Sequence, residues 1–164
     1  MTASAGVAGA LLLIGCSSEE EPTPLSRHLL MQQAVEAEQG PCEGEPLAED
    51  YSGEDVEHRY EESRDTCYVV SAERVIEVSG GTVAMREQEH STELVLELQV
   101  EGAAVEQLAE VTGVLAEQSG AEGMLVTSAG DDVILAAEVN SRITDGTLWL
   151  HGLDAEEVFK RLSE

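Results

Sequence analysis

The 164-residue sequence predicts an α+β fold, with a mixed or antiparallel sheet and two helices packed on one face. Three observations carry this expectation. Leu94, Leu96, Leu98 and Val100 alternate with polar residues, as on a strand with one buried face. The period then changes. Ala104, Leu108, Val111, Leu115 and Ala116 recur at three- and four-residue steps, which is the spacing of an amphipathic helix. Strands read in this way outnumber helices, and helices interrupt them, which favours an α+β arrangement over separate layers of one kind. Apolar residues make up 42% of the chain, enough for one core, and aromatics only 3%, so that core is mostly Leu, Val and Ala.

The elements follow in order. Residues 27–38 are ambiguous between a helix, with Leu29, Leu30, Ala34 and Val35 on one face, and an edge strand. Residues 67–70 form a short apolar run bounded by polar residues and read as a strand. Gly80–Gly81 is a turn, and residues 82–89 alternate weakly. Residues 93–100 are the clearest strand, and 102–118 the clearest helix, stopped by Ser119–Gly120. Residues 123–127 and 133–139 read as a hairpin, and residues 147–151 as a further strand after Asp145–Gly146. Asp154 caps a last helix, with Glu156 and Glu157 at its positive end and Lys160 and Arg161 at its negative end. No internal repeat occurs.

The first residues belong to a different kind of segment. Residues 3–15 are apolar or small and uncharged, 13 in all, too few for the ~20-residue helix that spans hydrocarbon but right for a signal-peptide core. They end Leu13-Ile14-Gly15-Cys16, a lipobox pattern. The Cys16 thiol is the expected lipidation site, and small Gly15 gives the signal peptidase access to the bond before it. One feature departs from the pattern: no Lys or Arg precedes the apolar run. The expected organisation is a lipoprotein signal peptide at 1–15, an acidic tether at 16–26, an acidic disulfide-closed region at 27–66, and an α+β domain at 67–164. The tether carries Glu19, Glu20 and Glu21, which anionic headgroups repel. The expected location is the extracytoplasmic face of a cell membrane, or the outer membrane in a two-membrane envelope, held by the lipid on Cys16.

Charge excludes some functions. The net charge of −26 leaves no basic cluster for phosphate neutralisation, which excludes general nucleic-acid binding. The same acidity fits a salt-rich habitat. With Cys16 lipidated, Cys42 and Cys67 remain, and outside the cytoplasm two such thiols pair. Zinc competes for them, but the spacing is wide and no Cys-x-x-Cys or His-x-x-x-His occurs. Between them stand ten acids and two arginines, Arg59 and Arg64. Calcium at Glu49, Asp50, Glu54 and Asp55 is the weaker reading beside a solvated loop, because the Asp-x-Asp-x-Asp-Gly pattern is missing.

Catalysis has no foothold in the pattern. His28, His58, His90 and His151 occupy no metal or triad spacing, and only His151, beside Trp149 and Gly152, stands out. There is no Gly-x-Ser-x-Gly, and Gly80–Gly81 opens no phosphate loop. The expectation is a non-enzyme with no cofactor and no metal.

A resemblance sharpens the functional expectation. The strand Leu94 to Val100, Gly102-Ala103-Ala104 opening a helix, and Leu108 to Thr112 are followed by Val133-Ile134-Leu135-Ala136 and Asn140. Then come Ile143-Thr144-Asp145-Gly146, Leu150-His151-Gly152 and Ala155-Glu156-Glu157. In order and spacing this resembles the extracytoplasmic head domain of SecD, the accessory subunit of the bacterial Sec translocase. Residues 42–70 are similar to free-standing actinobacterial lipoproteins that carry that domain. Ala137 stands where the family usually has Pro, and the 128–132 turn is longer. The resemblance implies a SecD-head-like fold, no catalytic residues, and contact with exported polypeptide or with Sec translocase components. The alternative expectation is an envelope lipoprotein with a structural or ligand-binding role unrelated to Sec.

Overall fold

A computed structural model describes residues 21–87, 93–151 and 154–164. The expected signal peptide, Cys16 and the tether as far as Glu20 lie outside the described residues, as do His90 and Gly152. No helix among the described residues is long and apolar enough to cross a membrane.

The fold is α+β, and every strand pair is antiparallel. The strands are β1 Thr23–Pro24, β2 Leu29–Gln39, β3 Val56–Glu61, β4 Thr66–Val78 and β5 Gly81–Glu87. They continue with β6 Leu94–Val100, β7 Met124–Ala129, β8 Asp132–Glu138 and β9 Thr147–Leu150. The helices are α1 Ala103–Leu115 and α2 Ala155–Ser163. Instead of one sheet the described residues form two: four strands ordered β1-β5-β6-β9, and five ordered β3-β4-β2-β7-β8. The turn after β4 sends the chain from the second sheet into the first. It needs glycine there, because a Cβ on Gly81 would lie 2.2 Å from the Gln99 carbonyl oxygen.

Residues 27–38 resolve as a strand at the centre of the larger sheet, not at an edge. Leu29 and Met31 point into the main core with Ile76, Val78 and Leu125. The smaller sheet contributes Val83, Leu96, Leu98, Val100, Leu148 and Leu150 to the same core. Helix α1 adds Ala104, Leu108 and Leu115, and α2 adds Val158 and Leu162. Both sheets and both helices therefore close around one apolar interior, and burial at ~25 cal/mol per Å² is its main support. Asp154 caps α2 as its sequence suggests, its Oδ1 accepting from the Glu157 N–H at 3.1 Å.

The larger sheet curls until its edge strands β3 and β8 touch. Its concave face holds a second, smaller core of Ala34, Tyr68, Val70, Val126, Val133 and Ala136. A bulge between Gln32 and Ala34 helps the curl. There β4 loops out residues 71–74, and the buried Ser71 hydroxyl accepts from the Glu73 and Arg74 N–H groups at 3.2 and 3.1 Å. Polar side chains also enter the concave face: Gln32 donates to Glu57 at 2.8 Å, and Arg59 pairs with Glu57 at 2.8 Å. The segment expected to be a solvated loop thus contains β3, whose charged residues are partnered within the sheet.

Candidate functional site

Two concave regions bear on function. The first lies where the outer strands of the two sheets approach. It has a volume of about 430 Å³ and is lined largely by apolar groups: Met124 and Leu125 of β7, Leu135 and Ala137 of β8, and Leu148, Trp149 and Leu150 of β9.

Local sequence sets this groove. Asp145–Gly146 turns the chain into β9, where Gly146 takes φ 79° and a Cβ would meet the Val100 carbonyl oxygen at 2.9 Å. In β9 the alternation buries Leu148 and Leu150 and turns Trp149, the chain's single tryptophan, outward at 51% exposure. His151 lies at the strand's end and lines the same groove.

The two strands beside the groove differ in what their backbones offer. The outer side of β8 is occupied: Arg64 donates to the Ala136 carbonyl at 3.1 Å, and Arg161 to the Val133 carbonyl at 2.7 Å. Among the described residues strand β9 pairs only with β6. Its register runs Leu96↔Leu150, Glu97↔Trp149 and Leu98↔Leu148, continued by the Val100 N–H donating to the Gly146 carbonyl at 2.9 Å. In an antiparallel pair bonded residues alternate, so the N–H and C=O of Trp149 point away from β6. They form an open strand edge beside an apolar trough, which can take an extended chain by backbone hydrogen bonds.

The second region is the disulfide cavity. Cys42 and Cys67 are bonded, with Cα atoms 5.0 Å apart, as their even number suggests. The bond holds residues 40–55 over one face of the larger sheet, at the edge of a cavity of about 510 Å³. Tyr51 fastens the same segment, donating to Glu36 Oε2 at 2.6 Å. That hydrogen bond, with burial next, pushes the phenol pKa up to about 12. On the opposite face burial, then the 2.9 Å bond to Glu61, pushes Tyr68 up to about 12 as well.

His58, which sequence spacing left as an ordinary histidine, lies at this cavity. Strand pairing sets Tyr60 opposite Cys67 and His58 opposite Val69, so His58 is the diagonal neighbour of Cys67 on one face. The Cys42, His58 and Cys67 ligand atoms all lie within 4.8 Å of one another. The signal in the sequence was only a histidine two residues from a strand partner, legible once the β3–β4 register is known. The acids first considered for calcium do not converge. Glu54 accepts from the Ser71 hydroxyl and lies 3.8 Å from Arg74, while Glu49 and Asp50 belong to the turn Ala48–Tyr51. Cys16, the expected lipidation site, is outside the described residues.

No protein-family model matches the chain, and no curated protein matches it.

Proposed function

We propose that this chain is a membrane-anchored extracytoplasmic lipoprotein whose folded domain binds extended polypeptide without catalysis, as a SecD-head-like module assisting protein export. The observation that carries the reading is the open edge of β9 beside the apolar β8–β9 groove. An added strand would gain main-chain hydrogen bonds from Trp149, while the groove takes every second side chain. Trp149 itself offers a broad apolar surface at low entropic cost, as binding-site aromatics do.

Charge selects among clients. The chain carries −26, and the groove is lined by Glu138 and by Arg64, whose guanidinium is engaged by Glu61 and the Ala136 carbonyl, so acidic segments are repelled and basic or neutral ones are drawn in by screened steering. The lipid on Cys16 and the acidic tether would hold this groove off the membrane surface, where an emerging polypeptide is still unfolded.

The test is a photo-reactive amino acid in place of Trp149, irradiated in membranes during export. Exported polypeptides or Sec components should be captured at this position and not by the same probe at Leu47, which is about as exposed at 54% but is not part of the groove's lining. Equal capture at both positions, or none at Trp149, would overturn the reading and leave an envelope role unrelated to Sec.

A further inference from the structure

The disulfide cavity contains more than a staple. We propose that the Cys42–Cys67 bond masks a zinc site, and that reducing it lets Cys42, Cys67 and His58 bind one Zn²⁺ ion.

Geometry is the basis. The three potential ligand atoms lie within 4.8 Å of one another, and the residues all line the same cavity. In a tetrahedral site, Zn–S of about 2.3 Å and Zn–N of about 2.0–2.1 Å put ligand atoms less than 4 Å apart. The sulfurs must separate from bonding distance, and the nitrogen must close slightly. Both motions are small, because His58 and Cys67 sit on neighbouring strands held in register by six residue pairs. Cys42 lies on the connecting segment outside any strand, where it can yield.

The surroundings suit a cation. Glu36, Glu38, Glu43 and Glu45 line the cavity, giving it a negative potential. Three protein ligands facing an open cavity leave the fourth position to water or to one of these carboxylates, the arrangement that distinguishes accessible zinc sites from closed structural ones.

The chemistry balances with one co-reactant, a dithiol. Its thiolate attacks one sulfur of the Cys42–Cys67 bond, and a mixed disulfide forms. The second thiol of the reductant then displaces the remaining cysteine. Two electrons pass to the protein, the reductant leaves as a disulfide, and Cys42 and Cys67 become thiols. Zinc then binds both sulfurs as thiolates, with release of two protons, and takes neutral His58 as its third ligand. Oxidised protein, with its sulfurs bonded to each other, has no thiolate to offer.

The experiment uses the full chain carrying Cys16→Ser, so that no third thiol competes. Co²⁺ is titrated into oxidised and reduced protein, followed by displacement with Zn²⁺, and binding is read by absorption. Reduced protein should take one equivalent, with thiolate-to-cobalt charge-transfer bands and the visible spectrum of a tetrahedral ion, both lost on adding zinc. Oxidised protein should show neither band. His58→Ala should weaken the cobalt affinity of the reduced chain at least tenfold. Circular dichroism accompanies each titration, and the reduced fold should melt at higher temperature with zinc than without. The proposal is overturned if reduced protein shows no charge-transfer band, if His58→Ala binds equally well, or if the reduced chain stays unfolded in excess zinc. None of these outcomes touches the β8–β9 groove, which lies on a different part of the molecule.

Discussion

Replacing Cys42 and Cys67 with alanine should destabilise the domain by about 3.5 kcal/mol. The bond closes a chain loop with a sequence separation of 25, and the chain-entropy relation gives about 12 cal/mol/K for a loop of that length, or about 3.5 kcal/mol at 25 °C. The native state itself changes little. Strand β3, inside the loop, keeps its pairing with β4, and Tyr51 keeps its 2.6 Å bond to Glu36. The loss therefore arises in the unfolded chain, which becomes freer. Against a typical total of about 5–15 kcal/mol the variant should still fold, melting about 10 °C lower at ~2–4 °C per kcal/mol for a chain of this size. Urea unfolding of both proteins, followed by circular dichroism, measures the difference. Because the uncrosslinked chain exposes more surface when unfolded, its dependence on urea should be steeper as well. A loss below about 1 kcal/mol with an unchanged slope would show that the loop is held by its own packing and refute the reasoning.

Three further outcomes are expected. Tyr68 keeps its proton in the fold up to about pH 12, while an unfolded tyrosine loses it near pH 10. Its contribution is thus fully present below pH 10 and lost between 10 and 12, by up to about 2–3 kcal/mol. Urea unfolding across that range should show a shallower decline in Tyr68→Phe, and an identical decline would refute the assignment. The net charge of −26 should make the melting temperature rise from low to molar NaCl, as the Debye length falls from about 10 to about 3 Å; a flat or falling trend in calorimetry would contradict self-repulsion. Cys16→Ser should release the chain from the membrane fraction, since two acyl chains anchor at ~0.8 kcal/mol per buried CH₂. Retention of the variant would refute lipid anchoring.

What could be read from the sequence depended on whether one face of an element is uniformly apolar. In Leu94–Val100 and in α1 the buried positions, Val95 and Thr112 apart, are hydrophobic at the element's own period, so type and location were legible. The Asp154 cap was legible because its chemistry is local. Strand β2 was not, because Gln32 and Gln33 are buried within it, their Nε2 groups donating to partners distant in sequence, Glu57 and the Glu122 carbonyl. Strand β3 was hidden for the same reason. Glu57 and Arg59 look like a solvated run until the curled sheet pairs them on its concave face. Two sheets were read as one because the turn at Gly80–Gly81 resembles any hairpin turn, and nothing local records that β4 and β5 join different sheets. The same limit applies to the sites. The cysteine pair followed from counting, whereas the nearness of His58 and the open edge at Trp149 are products of strand register.

The central claim is that the β8–β9 groove binds extended polypeptide, and Trp149 both lines the groove and is the only tryptophan available to report on it. A single titration therefore tests the claim most directly. An unstructured peptide without tryptophan, apolar at alternate positions and with basic residues between, is added to the purified protein while tryptophan emission is recorded. Saturable change of the emission, weakened by salt and absent for the same peptide with acidic residues in place of the basic ones, is the predicted result. Emission that does not change up to millimolar peptide, or that changes equally with the acidic peptide, would contradict the account.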